Sequence, residues 1–229
     1  MEHRVLHGPT FSILEIDLQE SETVVAQPNS MLAMTPGIEL RAMMGRGGSK
    51  SGWFTGVQGV LGGENLFTAE FRAKRDGQQL SIAPEAHGDI LELPLRDSGG
   101  YFLTRGSYLA NLGPCDLEIK YGGVKGLMAK TGIFLLKVSG DGIVFCQTFG
   151  AIVERTLSAE ESFVVDNRYM VAFSQSVRFE LVKATRTLKD SIMSGEGLVN
   201  RYTGPGKIFY QTRAKPSVGF LGRLLDLTT

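Results

Sequence analysis

One pattern occurs three times in this chain, and that threefold repeat limits the possible folds more than any other feature. Ile13-Leu14-Glu15-Ile16-Asp17-Leu18 is followed by Met31-Leu32-Ala33. At identical offsets, Ile90-Leu91-Glu92-Leu93-Pro94-Leu95 leads to Tyr108-Leu109-Ala110, and Ile152-Val153-Glu154-Arg155-Thr156-Leu157 leads to Met170-Val171-Ala172. Each copy then reaches a glycine turn, at Gly77, Gly142 and Gly206. Past the turn comes a β-forming run: Gln78 to Ile82, Ile143 to Gln147 and Lys207 to Gln211. Repeats of this kind mark supersecondary units that bury a core only by packing on their neighbours. No single unit here is long enough to do so alone. The expectation is one domain over residues 1–229, with units at about 11–87, 88–149 and 150–214 and a tail over 215–229.

The fold class follows from the local pattern. Sixteen short runs with period-2 alternation, bounded by turn residues, read as strands. None is placed before residue 11, between 35 and 65, or between 113 and 132. Only Thr185 to Ser194 carries a clear helical pattern, with Leu188 and Ile192 four apart and Gly195 as a C-terminal cap. A weaker one runs from Ser217 to Leu227. The predicted fold is all-β: three antiparallel units forming a β-sandwich or double-stranded β-helix, plus one short helix near 185–194. The 29 glycines suit a fold rich in tight turns.

Bulk composition excludes several classes. Hydrophobic residues make up 42% of the 229 and formal charge is zero, so nothing global attracts nucleic acid, and none is expected as a partner. The N-terminus carries charges with His3 and His7 where a signal peptide needs an apolar run. No stretch approaches the roughly 18 apolar residues of a membrane span. A cytoplasmic protein is predicted, peripheral to the inner membrane if it meets a membrane. Cys115 and Cys146 lack CxxC spacing, and Cys146 reads as a small buried hydrophobe.

Searches for catalytic motifs return little. His3, His7 and His87 do not make a ligand set, so neither metal nor cofactor is expected. In Gly45 to Ser51, Ser49 stands where a phosphate loop needs glycine before Lys50. No Gly-x-Ser-x-Gly elbow is present. Glu15, Glu92 and Glu154 recur at one repeat position, which fits one structural problem solved three times better than paired catalytic carboxylates. A hydrolase would need Glu154 or Asp166 beside His87, and nothing in the sequence joins them. The chain is therefore expected to be non-enzymatic.

The copies differ most between Ala33 and Gly77, where the first carries a glycine-rich insertion. From Arg41 to Gly63 the chain has Arg41, Arg46 and Lys50 with no acid, and Trp53 and Phe54 lie among them. From Ile119 to Gly140 it has Lys120, Lys125, Lys130 and Lys137, again with none. Seven cations against no acids leave 17 Lys and Arg facing 24 Asp and Glu elsewhere, a balance of −7. These windows form a candidate surface for an anionic membrane or a protein partner, with Arg41, Arg46, Lys50, Trp53, Phe54, Lys120, Lys125 and Lys130 as its residues. Solvated glycine-rich crossovers are the plainer reading of the same residues.

Gly62-Gly63-Glu64-Asn65-Leu66-Phe67, Ser194-Gly195-Glu196-Gly197-Leu198 and Tyr202-Thr203-Gly204-Pro205-Gly206-Lys207-Ile208-Phe209-Tyr210-Gln211-Thr212, set on the β repeat, resemble the altered-inheritance-of-mitochondria protein family. The resemblance implies a fold similar to the trp RNA-binding attenuation protein, a structural kinship that carries no function. It implies no catalytic residues, and its eukaryotic members are associated with organisation of the mitochondrial inner membrane. Without an Arg- and Ser-rich transit peptide, the chain looks like a bacterial member. The leading expectation is a scaffold or interaction protein acting at a membrane surface through the basic windows. The competing one is a small-molecule or nucleic-acid binding module with a pocket in the sandwich. Exposed strand edges predict a homo-oligomer.

Overall fold

A computed structural model describes residues 1–44, 67–121, 134–183 and 198–214 of the chain. A leading strand, β1 (Glu2–Leu6), precedes three units of six strands each. The first unit holds β2 (Ile13–Leu18), β3 (Thr23–Ala26), β4 (Met31–Met34), β5 (Ile38–Met44), β6 (Phe67–Ala73) and β7 (Gln78–Ile82). The second holds β8 (Ile90–Pro94), β9 (Tyr101–Thr104), β10 (Tyr108–Leu112), β11 (Cys115–Tyr121), β12 (Phe134–Gly140) and β13 (Ile143–Gln147). The third holds β14 (Ile152–Leu157), β15 (Ser162–Val165), β16 (Met170–Ser174), β17 (Arg178–Lys183), β18 (Leu198–Thr203) and β19 (Gly206–Gln211).

Each unit splits into two halves that join different sheets. Its first, sixth and third strands pair as one half, and its second, fifth and fourth as the other. The second half of one unit then joins the first half of the next. This gives the six-stranded sheets β5-β6-β3-β10-β13-β8 and β11-β12-β9-β16-β19-β14, antiparallel throughout. The leftover halves are β1-β2-β7-β4 at one end and β15-β18-β17 at the other. The seams between units are β3 with β10, where Ala26 faces Ala110, and β9 with β16, where Leu103 faces Ala172.

Alternation sets the inner faces. In β2, Leu14, Ile16 and Leu18 are fully buried while Ile13, Glu15 and Asp17 are half-buried. The core crosses the unit boundaries: Leu14, Phe71 and Leu80 of the first unit pack in one cluster with Leu109 and Phe145 of the second. Further along, Leu135 packs with Phe173, Tyr202 and Ile208. The unit starts also touch, with parallel bridges from Phe11 to Gly88 and from Gly88 to Gly150.

All sixteen strands read from the sequence are present, and three more, β1, β5 and β11, were missed. β5 and β11 are edge strands whose charged residues alternate with apolar ones beside the glycine-rich windows, which made them resemble loops. Among the described residues there is no helix, and the predicted helix at 185–194 and the tail over 215–229 lie outside them.

The recurring turn glycines answer different constraints. Gly77 has φ of +67°, a left-handed backbone with open space around it. Gly142 lacks positive φ; the strained residue of that turn is Gly140, at +122°. Gly142 is required by space, because a Cβ there would lie 2.3 Å from the Leu112 carbonyl oxygen and 2.5 Å from Cys115 Sγ. Gly206 combines both demands, with φ of +143° and Ser176 Oγ 2.7 Å from a Cβ position.

Asparagine adopts left-handed φ readily. Gly77→Asn is therefore expected to keep stability within about 1 kcal/mol of wild type, whereas Gly142→Asn overpacks the turn and loses about 1–3 kcal/mol or more. Equal midpoints in urea unfolding would show that the close approach at Gly142 is absent.

Candidate functional site

The two basic windows begin at equivalent points of equivalent hairpins. In the first unit β5 runs antiparallel to β6 as far as Met44 opposite Phe67, and in the second β11 runs against β12 as far as Tyr121 opposite Phe134. Arg41 is the fourth residue of β5 and Lys120 the sixth of β11, so they sit at different positions of equivalent strands. Both are exposed, and both are paired with the acid two residues earlier on the same face. Arg41 Nη2 lies 3.1 Å from Glu39 Oε1, and Lys120 pairs with Glu118. Glu39 also takes Lys74, and hydrogen bonds from Lys74 and then Arg41 hold its carboxyl below the usual carboxylate range. The acid-free windows thus end one or two residues short of the acids that neutralise their first cations. Arg46, Lys50, Trp53, Phe54, Lys125 and Lys130 lie outside the described residues.

The repeated glutamates have structural work. Glu15 on β2 pairs with Arg4, Glu92 on β8 lies 3.1 Å from His3 Nε2, and Glu154 on β14 lies 2.6 Å from Lys207 Nζ. The hydrolase constellation is not assembled. Asp166 binds Arg168 at 2.9 Å, while His87 packs edge-on against Phe11.

The second and third units enclose a cleft of about 350 Å³, lined among others by Arg105, Gln147, Asn167, Arg168, Asn200 and Gln211. A smaller one, of about 160 Å³, lies one unit earlier beside Gln27, Asn29 and Gln147. Two equivalent glutamines build the walls. Gln147 accepts from the Glu85 amide at 2.9 Å and donates to the Gly106 carbonyl at 3.0 Å. Gln211 accepts from the Phe149 amide at 2.8 Å and donates to the Arg168 carbonyl at 3.0 Å. The threonine after each repeats a second role, as Thr148 Oγ1 accepts from the Asp89 amide and Thr212 Oγ1 from the Ala151 amide.

Other cleft residues break the repeat. Pro28, Arg105 and Asn167 share one repeat position, and Asn29, Gly106 and Arg168 share the next. Of these two clefts, the one between the second and third units is therefore lined by cations and the one beside Gln27 is not. Desolvation pushes the Asp166 carboxyl up, but side-chain and backbone hydrogen bonds from Arg168 outweigh it and hold that carboxyl below its usual value. Asn200 is 3% exposed, and its side-chain oxygen, like that of Asn167, has no hydrogen-bond partner. The sequence named Gln147 and Gln211 as parts of a motif. It missed Arg105, Asn167 and Asn200, which no local pattern links.

The fold defines an all-β protein of three tandem units with sheets shared between successive units. Residues 3–213 match the family described as Mitochondrial biogenesis AIM24, and the chain belongs to that family. An uncharacterised protein of Streptococcus pyogenes serotype M6 is 29% identical over 206 residues, spanning 88% of this chain and 82% of that protein. The X-ray crystal structure of a Streptococcus pyogenes protein matches with a TM-score of 0.73 and 24% identity over 99% of each chain, a likeness of fold. Among the described residues, no helix is long and apolar enough to cross a membrane.

Two predictions follow from these contacts. Gln147→Ala leaves the Glu85 amide and the Gly106 carbonyl unpaired beside the cleft, and should cost about 1–3 kcal/mol in thermal or chemical unfolding. A neutral effect would mean that solvent takes over both groups. The thiols should also be silent in the folded state. Burial, then the Asp116 carboxylate, pushes Cys115 up to about 12, and burial raises Cys146 further still. Only the thiolate reacts, so alkylation near neutral pH should be slow for the native protein and complete in denaturant. Fast native labelling of either thiol would contradict this packing.

Proposed function

We propose that the chain is a non-enzymatic interaction scaffold: a β body that presents the connections of its equivalent hairpins to a partner surface, of which an anionic membrane is the one favoured. The observation that carries this reading is the matching placement of the two basic windows, entered from Met44 and Tyr121 at the ends of equivalent hairpins. Composition supports it, since seven cations face no acid across those windows. Trp53 and Phe54 supply apolar groups of the kind that settle at headgroup level, and each nearby cation adds about 1 kcal/mol on an anionic surface. The Arg41–Glu39 and Lys120–Glu118 pairs shift the expected contribution to the other cations of the two windows, Lys50 and Lys125 above all.

The test is co-sedimentation with neutral and with phosphatidylserine-containing vesicles. Binding should require the anionic lipid and fall with salt. Lys50→Glu combined with Lys125→Glu should weaken it about tenfold or more, with the melting temperature close to wild type. Absence of binding at low salt counts against the membrane and leaves a protein surface as the partner.

A second reading rests on the cleft. The unpartnered, buried oxygen of Asn200 and the arginines nearby suit a small polar ligand, which would appear as a mass shift in native mass spectrometry of the freshly purified protein.

A further inference from the structure

The seam between units, made by the second strand of one and the third strand of the next, is formed twice within the chain. β3 pairs with β10 and β9 with β16. The third strand of the first unit, β4, and the second strand of the last, β15, have no such partner and end their sheets.

The consequence is visible in burial. Every residue of β10 is buried, and in β16 Met170, Val171, Ala172 and Phe173 are buried with Ser174 only half-exposed. The same stretch in β4 is exposed along its length: Met31 at 41%, Leu32 at 57% and Met34 at 37%. On β15, Val164 is 50% exposed. Exposed sheet edges in single chains are usually protected by charge, proline or a bulge. β4, Met31-Leu32-Ala33-Met34, has neither charge nor proline. Its one irregularity, between Met31 and Ala33, recurs at the same position in β10 and β16, where the strand is nevertheless paired.

The two ends are complementary. Inside the chain, each six-stranded sheet is a half of the β15-β18-β17 kind joined to a half of the β2-β7-β4 kind. We propose that the partner of each open end is a second copy of this chain, joined head to tail by pairing of β15 with β4. The register follows from the two seams already present, in which Ala26 faces Ala110 and Leu103 faces Ala172. Carried to the third position, it sets Val165 opposite Ala33, Val164 opposite Met34 and Phe163 opposite Thr35. The joined sheet would run β17-β18-β15-β4-β7-β2-β1, the internal pattern with β1 added at its edge. Such a contact uses different surfaces on the two copies, so it propagates until it closes a ring. The proposal stands on sheet topology and is independent of the membrane reading.

Two measurements on the full-length chain test it together: mass by light scattering over a concentration series, and disulfide trapping. A chain carrying Met34→Cys is mixed with one carrying Val164→Cys and oxidised. The expected result is a disulfide-linked dimer in the mixture alone, with neither variant linking by itself and wild type, whose Cys146 is buried and Cys115 partly buried, as control. Mass above one chain should fall toward the monomer in Met34→Lys and in Val164→Lys, while the melting point of the dilute variants stays near wild type. Four results overturn it: one-chain mass at every concentration; association that survives both lysine variants; linkage of Met34→Cys to itself, which means a symmetric edge; or an internal disulfide in the doubly substituted chain, which means it closes on itself.

Discussion

The structure depends on strand pairing between units. At the first seam the Gln27 amide donates to the Leu109 carbonyl at 2.7 Å, and the buried Tyr108 hydroxyl donates to the Val25 carbonyl at 3.2 Å. At the second, Thr104 Oγ1 donates to the Met170 carbonyl at 2.6 Å. Without these seams both six-stranded sheets fall into three-stranded halves, each with an open edge and half a core. Because each unit contributes to two sheets, none holds a complete hydrophobic layer of its own. Stability then comes from nearest-neighbour contacts along the chain, as in other tandem-repeat proteins.

This dependence explains why so much of the fold was legible in sequence. A strand with one wet face and one dry face must alternate, so Leu14, Ile16 and Leu18 mark β2 in any reading. The copies keep the same apolar runs even where burial differs, as between exposed β4 and buried β10 and β16. The reading fails where charged residues alternate along a sheet edge. β5 and β11 sit at sheet edges, where Leu40 is 48% exposed and charged residues alternate on the open face. β1 lies outside the repeat and is fixed by pairing with β2 and by His3 packing edge-on against Phe145.

The candidate surface was legible in composition but not in electrostatics. Windows drawn from Arg41 and from Ile119 look uncompensated until the strands set Glu39 and Glu118 on the same face as Arg41 and Lys120. The cleft was hidden for a different reason. It joins turns near residues 105 and 167 to Asn200, a convergence created by the seam and not by any spacing along the chain. Residues common to all units, such as Glu15, Glu92 and Glu154, proved to serve the scaffold. Departures from the repeat, namely the first insertion, Arg105 and Arg168, and the open edge of β4, are where binding is to be sought.

Native-state hydrogen exchange resolved to single amides tests the central claim most directly. If the seams hold the units in one cooperative structure, the hydrogen-bonded amides of β3, β9, β10 and β16 exchange only through global unfolding, at one common free energy. Protection that differs in steps from unit to unit, with seam amides exchanging before those inside each hairpin, would show three units that fold alone and contradict the account.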